Sequence, residues 1–425
     1  MWQQDPSIER LLCLARLKLL GCHNIDASYK HQDMTIPGVT SILDVLLTFA
    51  FEPDCVRTDD IEAEMVKSHM RIVYSIPEHR AYSRSGYPSE PLLAEAAAQQ
   101  LWVFQKLEKE RKNITSFDIM VEMLDYTHLV DHSLIDLGQR GELMMRMCLV
   151  RAYMDGVLAE LGDQATEFGI IFSRGCKLVT FIKELFAPEH TENVLAAVPD
   201  NIISATTFSE AFEDSMVRFT HFVKAGDEFA LTTAGLYAAF ARGAAFIAQQ
   251  NQKYVDFVIP VLLNKAATIQ ESVMSAILIQ VKRHTRASEP TKWTFSQKSI
   301  GLFPKAGDPT SQRRPYILLV AELGTELKNG NMGHIVVPSV HVLAQPERQS
   351  HPEDTHPRYN FVSYGGSAYK HVTPDKCAQL LATRNFVEEH PRRDPDSRNL
   401  VMRLKPVWEY GDSTYHWVKL PEPEE

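Results

Sequence analysis

Tyr254 to Arg286 reads YVDFVIPVLLNKAATIQESVMSAILIQVKRHTR and carries the clearest fold signal in the chain. Two apolar runs are joined by a polar turn region. In the first run Val255, Phe257, Ile259 and Val261 share one face and Asp256 and Val258 the other, because side chains alternate along an extended strand. In the second, Ser275 to Lys282, one face holds Ala276, Leu278, Gln280 and Lys282, and the other Ile277, Ile279 and Val281. Paired as an antiparallel hairpin centred near Thr268, the runs set Asp256 directly opposite Gln280, with Lys282 one side-chain step beyond. Three polar groups then collect at one end of an apolar ribbon.

Those residue types suit one chemistry. A carboxylate at a strand end can hold a hard divalent cation, and a side-chain amide oxygen can add a second oxygen ligand. A lysine beside them can orient an attacking water or stabilise charge developing on a phosphoryl oxygen. The competing reading is an ordinary buried hairpin with polar residues at its solvated rim.

Asp256 with Gln280-Val281-Lys282 resembles the core of the restriction-endonuclease-like PD-(D/E)XK nucleases, in the branch where glutamine replaces the acid before x-Lys. Gly243 to Phe246, at the end of an apolar helix expected from about Leu231 to Gln250, is similar to the end of their first core helix. The resemblance implies Mg²⁺ or Mn²⁺ held by Asp256 and Gln280, with Lys282 acting on the water. In those nucleases the first helix commonly adds a glutamate. Here that helix holds no acid, so Glu228 just before it is the nearest substitute for the third ligand, with Glu210 and Glu213 further upstream. More widely, Phe219, Ala225-Gly226-Asp227, Ala241-Arg242-Gly243 and Arg314-Pro315-Tyr316 resemble the C-terminal region of Crinkler-type or mobile-element-associated proteins of mushroom-forming fungi. Some such chains join an NTPase to a nuclease-like domain, which implies an upstream NTPase portion or a partner chain.

Composition bounds the alternatives. The 425 residues, 44% hydrophobic and 23% charged, suffice for two or three domains with cores of their own. A formal net charge of -10 gives no general attraction for nucleic acid, so any such contact is local. One strip qualifies: Lys282 to Lys298 carries five Lys or Arg against one acid, Glu289, with Trp293 available to stack on a base of DNA or RNA. A solvated loop anchored by that tryptophan is the other reading. The six cysteines are scattered without a Cys-x-x-Cys pair, which favours free thiols in a reducing, intracellular compartment, nucleus or cytoplasm. The most apolar helical stretch, Phe229 to Ala248, is interrupted by Arg242 and reads as buried rather than as a membrane span. Phosphate-loop, dinucleotide and nucleophile-elbow motifs are missing, so those activities have no direct support.

From Ile8 to about Glu213 helical periodicity dominates, and seven or eight helices are expected with no strand among them. Ile8, Leu11, Leu12, Ala15, Leu19 and Leu20 form one stripe and Ile42, Leu43, Leu46 and Leu47 another. Asp59 or Asp60 is expected to cap a third helix, and Phe168 to Leu185 reads as one continuous helix. Asp125, His128 and His132 can share a helix face, as metal ligands or as a solvated face. After the hairpin, Tyr316 to Leu323 reads as a third strand and His334 to Leu343 as a fourth, with Pro338 marking a bulge or edge. Glu322, at the end of the third strand, can supply the missing carboxylate if it shares the face of Asp256.

The resulting expectation is an α+β or α/β chain: a helical domain over 1–200, then a restriction-endonuclease-like mixed-sheet domain with a C-terminal extension over 201–425. The expected activity is metal-dependent phosphodiester hydrolysis by Asp256, Gln280 and Lys282. The alternative is a non-catalytic interaction module, including a nuclease domain that has lost its activity.

Overall fold

The structure is a computed structural model and describes residues 6–22, 30–49, 51, 56–76, 84–108, 114–127, 140–165, 169–226, 231–249, 255–282, 302–303, 313–323, 334–337, 356–370 and 372–381. Its first half is built from the helices α1 (Pro6–Leu20), α2 (Ile36–Leu47) and α3 (Val56–Ser68), followed by a small hairpin, β1 (Ile72–Ser75) and β2 (Arg84–Gly86). Then come α4 (Pro91–Leu107), α5 (Ser116–Thr127) and the long α6 (Arg140–Leu161). The hairpin departs from the all-helical expectation. It begins where Met70, at φ 66, leaves the helical region, and Ile72-Val73-Tyr74 then favours an extended chain. Asp59 and Asp60 lie inside α3 rather than capping it.

The second half is a mixed sheet with helices attached. In chain order it contains β3 (Cys176–Lys177), α7 (Leu178–Leu185), α8 (Pro188–Leu195), α9 (Phe208–Ala211), β4 (Met216–Val217) and β5 (His221–Lys224). There follow α10 (Thr233–Arg242), β6 (Ala244–Ile247), β7 (Phe257–Leu262), β8 (Met274–Lys282), β9 (Tyr316–Glu322), β10 (His334–Val336), β11 (Arg358–Tyr364) and α11 (Pro374–Leu381). The fold is therefore α+β, a helical N-terminal region followed by a mixed sheet.

Two expected helices are shortened because glycine breaks them, one at its start and one at its end. Gly169 and Gly175 take φ of 92° and 82°, so helix begins only at Leu178 and not at Phe168. Gly243, at φ 65 in the left-handed region, caps α10, with its N–H donating to Ala239 and Phe240 carbonyls. Ala244 to Phe246, expected at a helix end, instead forms β6 and pairs in parallel with β5.

Among the described residues the sheet has nine strands in the order β10-β11-β9-β8-β7-β4-β3, with β6 sharing the β4 edge of β7 and β5 outside β6. β7 and β8 are antiparallel with Phe257 opposite Ile279, the register expected from a turn centred near Thr268. β8, β9 and β11 run parallel to one another. β7, β9 and β11 are buried along their whole lengths, as strands covered on both faces require.

One face of the sheet, with Phe257, Ile259, Ile277, Ile279, Ile317, Leu319 and Phe361, belongs to the large apolar cluster that contains the buried faces of α2, α4, α5 and α6. The opposite face, with Val258, Ala276, Leu278, Leu318, Val320 and Val362, packs against Leu236 and Phe240 of α10. At about 1.5–3 kcal/mol for each large apolar side chain removed from water, burial on both faces holds the strand register firmly. Residue 200 falls between α8 and α9, and packing continues across it: Phe186 stacks on Tyr369, and Asp200 receives the Arg358 guanidinium at 2.7 Å.

Candidate active site

Period-two alternation sends Asp256 to the α10 face. Phe257 beside it points to the helical side, so Asp256 shares its face with Val258 and, across the hairpin, with Gln280. Asp256 immediately precedes β7 and continues its ladder: its N–H donates to the Ile279 carbonyl at 2.8 Å and its carbonyl accepts from Ala248 at 2.8 Å. The side chain is held too, Oδ2 accepting the Val281 N–H at 2.6 Å.

The parallel strands add what the hairpin alone could not. Lys282 is in register with Glu322, Glu322 with Tyr364, and Tyr364 with His334. A polar row thus crosses β8, β9, β11 and β10 at the carboxyl ends of the parallel strands, one step beyond Asp256 and Gln280. Ligands of α/β sheets commonly bind outside strand ends of this kind. Glu322 and Tyr364 are buried, while Asp256, Gln280, Lys282 and His334 are half-buried. The His334 imidazole stacks on the Tyr364 ring, centroids 4.8 Å apart.

The electrostatics are those of a partly dehydrated acid–base group. Burial raises the Asp256 carboxyl above the usual carboxylate range, opposed by the Val281 N–H and the Lys282 charge. Burial lowers the Lys282 ammonium, opposed by the Glu322 and Asp256 charges. Burial, together with the Glu322 charge, pushes the Tyr364 phenol up to about 12. Among the described residues Asp256 makes no ion pair, and the Gln280 amide makes no hydrogen bond. Both therefore keep lone pairs available to a ligand.

The structure brings Asp256, Gln280 and Lys282 together with Glu322. Glu228, most of the basic strip from Arg283 to Lys298, and His128 and His132 lie outside the described residues. Glu210 is engaged elsewhere, in a capping box with Thr207 at the start of α9. Sequence reasoning does not reach the row partners Tyr364 and His334. Alternation within β11 identifies the Tyr364 face, but nothing local gives its parallel register.

The oxygen donors suit a hard divalent cation: a carboxylate oxygen of Asp256, the Gln280 amide oxygen and the neighbouring carboxylate of Glu322. Among the described residues no group of three or more His, Cys, Asp or Glu side chains is placed to hold a metal ion, so the amide would have to complete the set.

Residues 35–324 match a family described as a domain of unknown function, DUF8736. The chain belongs to that family. The DUF8736 span takes in Asp256, Gln280 and Lys282 and ends just after Glu322, whereas His334 and Tyr364 lie beyond it. No curated protein and no solved structure matches the chain. Among the described residues no helix is long and apolar enough to cross a membrane.

Proposed function

We propose that the protein is a metal-dependent phosphodiesterase acting on DNA or RNA. The observation that carries this reading is the register of β7, β8 and β9. It sets the Asp256 carboxylate opposite the Gln280 amide and beside a half-buried Lys282, itself in register with Glu322, at the strand ends of one sheet face. The resemblance of Asp256 and Gln280-Val281-Lys282 to the PD-(D/E)XK nucleases supports the same reading.

Asp256 and Gln280 would hold Mg²⁺ or Mn²⁺, with Glu322 as the adjacent acid. A cation bound there would supply Lewis acidity at the phosphoryl oxygen and a more acidic water. Lys282 orients the attacking water and offsets the negative charge that builds on the phosphoryl oxygens. The Val281 N–H fixes Asp256, so the carboxylate pays little ordering entropy when a ligand arrives. Contact with the nucleic acid backbone falls to the basic residues that follow Lys282, and energy coupling, if the activity needs it, to an NTPase portion or partner chain.

One observation favours a second reading, a non-catalytic module that contacts protein or nucleic acid: the donor set contains only two carboxylates and an amide. The deciding experiment is cleavage of labelled single- and double-stranded DNA and RNA with Mg²⁺ or Mn²⁺, comparing wild type with Asp256→Ala and Lys282→Ala. Metal-dependent cutting lost in both folded variants supports the enzyme. Unchanged cutting by a folded Lys282→Ala protein sinks the mechanism, and no cutting together with no metal uptake by calorimetry supports the module.

A further inference from the structure

A second constellation lies away from the strand-end site, where the segment before α4 meets the start of β5 and the end of α10. Ser89 Oγ is 2.9 Å from His221 Nε2. His221 Nδ1 is 3.1 Å from Thr220 Oγ1, and that hydroxyl donates to the Gly243 carbonyl at 3.3 Å. In the tautomer protonated on Nδ1, Thr220 accepts from Nδ1–H and donates to Gly243. Nε2 is left bare to accept the Ser89 hydroxyl proton. Arg242 completes the group: its Nε lies 3.4 Å from Ser89 Oγ, and Nη2 donates to the Ser89 carbonyl. The donors run in one direction throughout, from guanidinium to hydroxyl to imidazole, and from imidazole to threonine to backbone.

We propose that Ser89 and His221 form a nucleophile–base pair, oriented by Thr220 and assisted by the Arg242 cation, that reacts with acyl esters. A serine within hydrogen-bond reach of an imidazole, itself oriented by a third group, is the arrangement that activates a hydroxyl. The exposures fit: His221 is 2% exposed, Ser89 is half-buried and Arg242 lies at the surface, so the base is shielded from bulk water while the cation is not. Burial, reinforced by the Arg242 charge, lowers the imidazole to about 4, so the ring is neutral at neutral pH with Nε2 unprotonated; the same shift makes it a weak base and slows proton transfer.

In the reaction Ser89 Oγ bonds to the ester carbonyl carbon as its proton passes to His221 Nε2. The carbonyl electron pair moves to oxygen beside Arg242. Collapse breaks the carbon–oxygen bond to the leaving alcohol, which takes the proton from Nε2. Water then cleaves the acyl-serine by the same steps and restores the hydroxyl. Thr220 fixes the ring but carries no negative charge, so the imidazolium formed on the way is stabilised less than it would be by a carboxylate, and turnover is slow.

The test is covalent labelling of the full chain by a fluorophosphonate probe in EDTA, with the adduct mapped by mass spectrometry. Chelation removes any dependence on the strand-end site, so failure here leaves the phosphodiesterase reading standing, and the reverse holds too. One adduct is expected on Ser89, absent in Ser89→Ala and formed about 10²-fold or more slowly in His221→Gln. Arg242→Ala, a surface change that tests the cation if His221→Gln fails to fold, should also slow labelling. No adduct on Ser89 in folded wild type overturns the proposal, as does labelling of His221→Gln or Arg242→Ala at the wild-type rate.

Discussion

Two acid–base clusters, one in the helical half and one on the sheet, each combine a cation with carboxylates, with opposite results. In the first, the buried Arg71 guanidinium joins Asp44 of α2, reaches Glu62 of α3 at 2.6 Å and donates to Ser85 Oγ and O at 2.7 and 3.1 Å. Its carbon lies 5.1 Å from the centre of the Phe51 ring. Asp44 also accepts the Phe49 N–H at 2.6 Å. The cation there ties α2, α3 and the small hairpin together, and every guanidinium nitrogen is used. In the second, Asp256 is held by a backbone N–H, makes no ion pair among the described residues, and has Lys282 as an electrostatic neighbour. In the first cluster the charges tie three elements together; in the second, backbone and register place the Asp256 carboxylate at the end of one sheet face.

The largest expected effect lies in the closed cluster. Arg71→Met leaves Asp44 charged and buried, and should cost about 3–5 kcal/mol in urea unfolding. A loss under about 1 kcal/mol would break the distinction from that side. Next, Lys282→Ala should lower phosphodiester cleavage about 10²–10³-fold, the scale seen when one positioned charge donor is removed. Its stability should change by less than about 1 kcal/mol, because the ammonium is only half-buried and solvent screens its attraction to Glu322 and Asp256. Glu62→Gln, at the half-buried rim of the closed cluster, should cost about 1 kcal/mol, since Arg71 keeps Asp44 and Ser85.

The smallest effect concerns Asp256. Its folded pKa is raised above the unfolded value, so its contribution to stability is fully present below the unfolded pKa and is lost as pH rises through the folded one. Asp256→Asn, which can still accept from Val281, should therefore be slightly more stable at neutral pH, by under about 1 kcal/mol, while losing cleavage. Denaturation of both proteins across pH 4 to 8 measures it; a curve that rises with pH for wild type relative to Asp256→Asn would reverse the assignment.

The hairpin was legible because its information is local. Alternating apolar residues on either side of a short polar turn allow one register in which both apolar faces are buried, and Phe257 opposite Ile279 is that register. The breaks at Gly175 and Gly243 were misread for a related reason. A glycine is tolerated in a helix, and only the backbone shows that these two adopt φ of 82° and 65°.

The sequence by itself determined the α+β division, the strands β7, β8 and β9, and the shared face of Asp256, Gln280 and Lys282, since each rests on a period of 2 or 3.6 residues within one segment. Tertiary structure alone decided that Glu322 lies beside Lys282, that Tyr364 and His334 extend the row, and that Ser89 meets His221 from 132 positions away. Parallel neighbours are joined through long connections, so their register follows from which faces the two cores bury, a property of the whole chain rather than of any stretch of it.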